Sequence, residues 1–411
     1  MTSSIYIAKS VYGGDGLGRL GDGRVVFVPG AFPGEQVKAE IVQEKKSFVK
    51  ARLVEIEDAS QERTGTLEPP IPGAVYWNLS VKGEKAVKSA QLAEFFDRNR
   101  IALPPGCDLS ECSSDTAESA SLNYRNKVVY HFSGDFSQRV LGYREEPSHK
   151  IVDITEDPLA RPEINAKLPE IRDNVFRLLS TGPKAVRQSV RDKENVTIRF
   201  SKRSGVVWWM GNAPDNVTIK EETAGKVFEV PSDGFYQVNP GVGDDLVKAV
   251  VKKFRASPTK EVVDLYCGVG VFGLCMEPES LIGIESGRRA IDFARRNAAA
   301  QGRGDVRFHV GLVGRDIRRL KITPETTVVV DPPRGGMEFA AVQALAKSEA
   351  RRIFYVSCDP ATLMRDLKQL SRAYEVEDVK WFNMFPRTAR FETLVVLKKA
   401  NAVTSKSKLT F

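Results

Sequence analysis

Cys358 has the greatest chemical reach of any residue in this chain. It stands in Val356-Ser357-Cys358-Asp359-Pro360, directly behind the apolar run Arg352-Ile353-Phe354-Tyr355-Val356. The run reads as a buried strand, and Asp-Pro ends it before a helix that opens near Ala361. A thiol between a strand tip and a helix N-terminus is placed where a thiolate is stabilised, and a thiolate is a nucleophile. A lone cysteine is as readily a small buried hydrophobe, so the segment alone leaves both readings open. Two further strand ends carry acids. Thr327-Val328-Val329-Val330-Asp331-Pro332-Pro333-Arg334 is an apolar strand that stops in a proline-stiffened loop, with Asp331 facing what lies beyond the tip. Glu392, in Phe391-Glu392-Thr393-Leu394-Val395-Val396-Leu397, is polar at the mouth of an apolar strand. Taken alone it is more often a solvated strand-end acid than a general base.

A third constellation suits a nucleoside. Glu261-Val262-Val263-Asp264-Leu265-Tyr266 reads as a strand, and Cys267-Gly268-Val269-Gly270-Val271-Phe272-Gly273 as a glycine turn entering a helix. Gly268 and Gly270 let the backbone approach a ligand closely. The pattern departs from the dinucleotide fingerprint and is closer to the Asp-x-x-x-Gly-x-Gly of S-adenosylmethionine enzymes. The next strand, Ser280-Leu281-Ile282-Gly283-Ile284, ends in Glu285, where an acid can hold both ribose hydroxyls. Cys267 reads as a small residue filling the turn and Cys275 as helix core.

The elements that carry these residues belong to a chain of 411 residues, enough for roughly two or three domains. With 42% hydrophobic and 28% charged residues it has a globular balance. No run approaches ~18 apolar residues, so no membrane span is expected. No apolar leader follows Met1, and five scattered cysteines make no disulfide framework, which fits a reducing cytoplasm. A net charge of +8 favours a polyanionic partner, and a monomer is expected.

Residues 1–57 read as short strands broken by glycine, a small β-barrel. Lys45, Lys46, Lys50 and Arg52 cluster around Phe48 there. Basic residues interleaved with an aromatic suit single-stranded nucleic acid, and a solvated hairpin gives the same local pattern. A loose linker leads to a helix from about Val81 to Asn99. Residues 70–225 form a β-rich middle domain, interrupted by a helix near Leu168 to Leu179. Residues 226–399 alternate strand and helix, an α/β pattern that predicts a doubly wound sheet. From Lys398 onward, through 400–411, the chain reads as a flexible basic tail carrying Lys398, Lys399, Lys406 and Lys408.

Two resemblances add to this reading. Gly13 to Gly18, Val25 to Pro29, and Pro33-Gly34-Glu35 with the Lys/Phe strand resemble a TRAM domain, a small RNA-binding barrel of OB-like form. The C-terminal half resembles the RNA 5-methyluridine methyltransferase family. The matching pieces are Phe235-Tyr236-Gln237-Val238-Asn239, Asp264 to Gly270, Gly283-Ile284-Glu285, Asn297-Ala298, Asp331-Pro332-Pro333-Arg334, Ser357 to Leu367, and Phe385-Pro386 through Glu392-Thr393. The resemblance implies a class I (Rossmann-like) methyltransferase that moves a methyl from S-adenosylmethionine to carbon 5 of a uridine in RNA. It makes Cys358 the thiolate that adds to carbon 6, Glu392 the base that removes the carbon-5 proton, and Asp331 a neighbour of cofactor and target base. Gln237, Tyr266 and Glu285 match cofactor-contacting positions. Arg125-Asn126-Lys127 and Ser148 to Asp153 also match, so Arg125 and Lys127 are expected at the RNA with Lys45, Lys46, Phe48, Lys50 and Arg52.

The chain departs from the family in places. Many members hold an iron–sulfur cluster on four cysteines. Three of these would fall near Pro70 to Val75, which has none, and Asp157 occupies the fourth position. Cys107 and Cys112 are only a pair, and His131, His149 and His309 are isolated, so neither cluster nor zinc is expected. Val271 replaces a residue that is polar in several members. A 5-methylcytosine enzyme would carry a second thiol in the Asp331 loop, which has none. An adenine amino-methyltransferase would leave Cys358 and Glu392 idle. A non-catalytic RNA-binding protein would not need Cys358, Glu392 and Glu285 together. The missing cluster resembles the tRNA enzymes and the barrel the ribosomal RNA enzymes, and the added RNA-binding domain tips the expectation to ribosomal RNA.

Overall fold

The computed structural model describes residues 2–66, 68–113, 118–132, 138–145, 148–182 and 194–400. Its N-terminal unit is a closed barrel of β1 (Thr2–Ser10), β2 (Gly16–Arg19), β3 (Val25–Val28), β4 (Gln36–Glu44) and β5 (Phe48–Asp58), in the order β1-β2-β3-β5-β4. Side chains alternate along these strands, so Ile5, Ile7, Val37, Ala39, Val49 and Ala51 fill the interior. β2 needs Gly16 and Gly18, since a Cβ on either would lie 2.5 Å from a carbonyl oxygen, of Ala31 and of Tyr6 respectively. The linker ends at Ser80, whose hydroxyl accepts from the Gly83 N–H at 2.9 Å and caps the helix Val81–Arg98.

The middle sheet has the order β10-β9-β6-β7-β8, from β6 (Lys127–Phe132), β7 (Leu141–Arg144), β8 (Ile151–Asp153), β9 (Asn195–Ser201) and β10 (Gly205–Met210). The helix Pro162–Thr181 packs against it. It starts before the expected Leu168 and runs through Pro169. An interior proline removes one backbone hydrogen bond. The buried face of Ile164, Leu168, Ile171 and Val175 compensates for that loss. A hairpin of β11 (Thr218–Thr223) and β12 (Lys226–Pro231) follows. The expected boundary at 226 falls inside it. Asn297 ties β12 to the C-terminal unit, accepting from Glu229 N at 2.7 Å and donating to Glu229 O at 3.0 Å and Val269 O at 3.1 Å.

The C-terminal unit is a seven-stranded sheet in the order β15-β14-β13-β16-β17-β19-β18. Its strands are β13 (Glu261–Leu265), β14 (Ser280–Glu285), β15 (Arg307–Val310), β16 (Thr326–Val330), β17 (Arg352–Ser357), β18 (Tyr374–Phe382) and β19 (Glu392–Lys399). β19 runs antiparallel between β17 and β18. Helices cover both faces, which is why the strands are apolar runs rather than alternations. Val262, Val329, Phe354 and Val356 join one core with the helix Pro240–Arg255, and Val263, Val328, Ile353 and Tyr355 join the other with Pro360–Leu370. Lys398 and Lys399 belong to β19 rather than to a tail. Lys399 Nζ lies 3.0 Å from Glu349. Lys406, Lys408 and the rest of 401–411 lie outside the described residues.

Candidate active site

Glu285, Tyr266, Asp331 and Cys358 stand at the ends of the parallel strands β14, β13, β16 and β17. These strands are in register, with Leu265 opposite Ile284 and Val330, and Val330 opposite Tyr355. The edge they share is the carboxyl end of the sheet, where α/β folds bind ligands. Glu392 arrives from the opposite direction. Ser357 pairs with Thr393 across the antiparallel β17–β19 ladder, so the next step along each chain brings Cys358 beside Glu392. The reversal of β19 thus joins two residues that are far apart in sequence.

The electrostatics of this corner are those of a crowded acid pair. Glu392 is buried. Its desolvation, then the Asp331 charge, hold its carboxyl well above the usual carboxylate range against the pull of Arg334. Desolvation also raises the half-buried Asp331. Two carboxyls in one such place titrate as a pair and keep a proton between them at neutral pH. Burial, then Glu392 and Asp331, push the Cys358 thiol up to about 11, while Arg334 and Arg390 pull it down. The free protein therefore holds a thiol, in contrast to the thiolate expected from a strand tip facing a helix. Burial and the two carboxyls outweigh the nearby arginines, and the helix N-terminus is taken up by Asp359. Its carboxylate accepts from the N–H groups of Ala361 and Thr362, each at 3.0 Å, and so satisfies the helix N-terminus itself.

Backbone geometry leaves room for a cofactor. Tyr266, Gly268 and Gly270 have φ of 60°, 53° and 87°. A Cβ on Gly270 would meet Phe308 at 3.0 Å, but one on Gly268 would meet nothing within 4 Å. Glu285 accepts from Gly287 N at 2.8 Å and Gly268 N at 3.4 Å, which holds its carboxylate at the turn. Asp264 is buried under the turn, accepts from Gly273 N at 2.9 Å and is raised by burial to about 7. The half-buried Gln237 lies against Gly243, where a Cβ would be 2.9 Å from it. A carboxylate at the second strand tip beside an open glycine fits a nucleoside's ribose. Cys267 and Cys275 are buried.

The loop that delivers Glu392 is clamped from the linker helix. Lys88, fully buried on Val81–Arg98, donates to Glu84 Oε1 and Asn383 Oδ1, both at 2.7 Å, and to Phe385 O at 3.3 Å. Glu84 accepts from Asn383 Nδ2 and Arg387 N, both at 3.0 Å. Lys88→Met leaves Glu84 buried without its cation. The expected loss is roughly 3–5 kcal/mol of unfolding free energy in urea. Lys82→Ala, which removes an exposed pair with Glu62, should change it by about 1 kcal/mol or less. A second brace is Asp366, buried and accepting from Tyr355 Oη at 2.7 Å and Met337 N at 2.9 Å, which ties the loop after Asp331 to the helix after Cys358.

Lys45, Lys46, Phe48, Lys50 and Arg52 lie on or between β4 and β5. Lys45 Nζ stands 5.4 Å from the Phe48 ring centre, and Phe48 meets Phe27 edge-on at 5.8 Å. Lys50 faces Asp15, and Arg52 pairs with Glu40. Arg125 turns inward and donates to the Tyr143 and Tyr124 hydroxyls at 3.2 and 3.3 Å. Lys127 is half-buried, with its pKa lowered by burial and by Arg199. Asp157 is buried and accepts from Tyr143 Oη at 2.7 Å and Tyr130 Oη at 3.1 Å. Among the described residues, no group of three or more His, Cys, Asp or Glu is gathered so as to hold a metal ion, and no helix is long and apolar enough to cross a membrane. Arg334, Arg390 and Tyr12 were not singled out in the sequence as active-site groups. Only the Asp-Pro-Pro-Arg run could have pointed to the first.

Residues 213–400 match the family model for tRNA (uracil-5-)-methyltransferase, and residues 7–54 match the TRAM domain. An uncharacterised RNA methyltransferase of Streptomyces avermitilis is 31% identical over 96% of this chain and 98% of its own length. The 23S rRNA (uracil(1939)-C(5))-methyltransferase RlmD of Pectobacterium atrosepticum is 26% identical over 93% of this chain and 90% of its own. Among solved structures, the tRNA (uracil-54, C5)-methyltransferase of Pyrococcus abyssi, in complex with S-adenosyl-L-homocysteine, superposes with a TM-score of 0.71 at 22% identity. It covers 96% of this chain and 100% of its own, a likeness that shows the fold. The fold is thus a class I methyltransferase domain behind an N-terminal TRAM barrel, and the chain belongs to the RNA (uracil-5-)-methyltransferase family. It is an RNA methyltransferase with S-adenosylmethionine as its cofactor.

Proposed function

We propose that the enzyme methylates carbon 5 of a uridine in ribosomal RNA through a covalent bond between Cys358 and carbon 6 of the base. The observation that carries this reading is the meeting of Cys358, Glu392 and Asp331 at one sheet edge. Carbon 5 of uracil is a poor nucleophile. Addition of the Cys358 sulfur to carbon 6 pushes an electron pair onto the carbonyl at carbon 4, and the resulting enolate makes carbon 5 nucleophilic. The thiol proton goes to the acid pair, whose ionised member lies beside it. The methyl comes from S-adenosylmethionine, which Gln237, Tyr266, Gly268, Gly270, Glu285 and Asp331 would hold. After the methyl has moved, the acid pair gives up its protons to solvent, so that an ionised Glu392 takes the carbon-5 proton; the carbon–sulfur bond breaks, and Cys358 leaves as thiolate to recover a proton. The target base must leave its stack to reach this edge, at a cost of a few kcal/mol.

The proton acceptor for the first step sets a pH dependence. Burial raises Asp331 to about 7, so below that pH its carboxyl is protonated and cannot take the thiol proton. Adduct formation should therefore slow as pH falls from 8 to 6, far above the range near ~4 where an ordinary carboxyl titrates. Quenched single-turnover assays across this range test the sign. A rate flat from pH 6 to 8 contradicts it.

The preference for ribosomal RNA rests on the RlmD likeness. The barrel does not discriminate, because the Pyrococcus tRNA enzyme overlaps 96% of the chain, most of the barrel included. That overlap favours a second reading, a tRNA uridine. We take the enzyme to act as a cytoplasmic monomer, with Lys45, Lys46, Phe48, Lys50 and Arg52 against the RNA backbone, Lys127 nearby, and Arg125 orienting the middle domain. Mass-spectrometric mapping of 5-methyluridine in RNA from a deletion strain decides the substrate. Loss from ribosomal RNA supports the first reading, loss from tRNA the second, and loss from neither overturns both.

A further inference from the structure

We propose that Tyr12, a barrel residue, is a positioning residue for the two catalytic loops, so that the docked barrel completes the active site as well as carrying RNA. Tyr12 lies just beyond β1, in the turn that leads to β2, more than 300 positions from the chemistry in sequence. Its hydroxyl nevertheless reaches the backbone carbonyl of Cys358 at 3.5 Å. Its ring meets Phe391, the residue before Glu392, edge-on at 6.1 Å, and Phe95 of the linker helix edge-on at 5.7 Å. Phe391 also meets the buried Trp381, at 5.6 Å between ring centres. One side chain therefore touches the nucleophile's backbone and wedges against the neighbour of the proposed base.

The turn that presents Tyr12 is itself fixed. Gln91, buried on the linker helix, donates through Nε2 to Ser10 O at 3.2 Å, Val11 O at 3.0 Å and Tyr76 Oη at 3.0 Å. Gly14 completes the docking: with φ of 102°, it lies so close to Val75 that a Cβ would be 2.5 Å from that side chain. The Tyr12 hydroxyl also sits in the field of Asp359, Arg390, Cys358 and Arg334, the groups that surround the thiol. The same turn carries Asp15, which faces Lys50 on the barrel's basic strand. Tyr12 acts through the loops of Cys358 and Glu392 rather than on the base.

This inference rests on the reading of Cys358 as nucleophile, and the test separates the two. Tyr12→Phe, Tyr12→Leu and Tyr12→Ala are compared with wild type in single-turnover methylation and in trapping with 5-fluorouridine RNA, alongside RNA and cofactor affinities. Loss of ring packing should lower the rate at saturating RNA roughly ten- to a hundredfold in the Ala and Leu variants, as expected when reacting groups are misplaced by about 1 Å. RNA and cofactor affinities should stay within about twofold, because the proposed role acts through the loops rather than on either ligand, and Tyr12→Phe, which keeps both edge-on contacts, should recover most of the rate. A wild-type rate in both Tyr12→Leu and Tyr12→Ala overturns the proposal. So does a loss found wholly in RNA affinity, which makes Tyr12 an RNA contact. If Cys358→Ala turns over normally, the nucleophile reading fails, whatever the Tyr12 variants do.

Discussion

Cys358→Ala should lose methyl transfer by roughly 10⁴-fold or more, because removal of a covalent nucleophile leaves only binding and orientation. Its cofactor affinity should be unchanged, since most groups proposed to hold the cofactor, Tyr266, Gly268, Gly270 and Glu285, stand at the tips of β13 and β14 while Cys358 ends β17. Stability should change little. The side chain is only part-buried, and the hydrogen bond from Tyr12 uses the backbone carbonyl rather than the thiol. A fold that survives with its chemistry gone is the signature of a nucleophile. A variant that loses cofactor binding along with activity would instead mark Cys358 as structural.

Glu392→Gln should separate the two halves of the reaction. Glutamine keeps the shape but cannot accept a proton, and loss of a general base lowers turnover by about 10²–10⁴-fold. Thiol addition and methyl transfer precede this step, so the variant should accumulate a methylated protein–RNA adduct on natural, unfluorinated substrate. The substitution also removes the second carboxyl from the field of Cys358, so its thiol should titrate lower than in wild type. Adduct formation in Glu392→Gln should therefore be at least as fast as in wild type at pH 7, while release is slow. A variant that stops before any adduct forms would assign Glu392 to the first proton transfer and leave the carbon-5 proton to another group.

The positions of Asp331, Glu285 and Cys358 were legible because each follows an apolar run, and a strand buried on both faces must end where its chain turns polar. Gly268 was legible for a local reason too, since a turn with φ of 53° disfavours a Cβ. Glu392 was different. Its partnership with Cys358 depends on β19 inserting antiparallel between β17 and β18, which no local pattern carries, and only the family resemblance singled it out. The raised pKa of Cys358 was not legible because the sequence does not show that burial and two carboxyls from other strands close in on the thiol. The clamps formed by Lys88, Gln91 and Tyr12 join segments about 80 to 350 positions apart, where side-chain periodicity carries no information. The two lysines assigned to the tail, Lys398 and Lys399, were drawn there by composition, although the strand hydrogen bonding of β19 reaches them.

The central claim is a bond between the Cys358 sulfur and carbon 6 of the target uracil. The most direct measurement is tandem mass spectrometry of the peptide–nucleotide conjugate recovered after the enzyme reacts with S-adenosylmethionine and 5-fluorouridine RNA, whose carbon-5 fluorine cannot leave as a proton does. The account predicts one conjugate, on the peptide containing Cys358, carrying the mass of a methylated fluorouridine. A conjugate on Cys107 or Cys112, or efficient methylation of natural RNA with no conjugate formed from the fluorinated one, would contradict it.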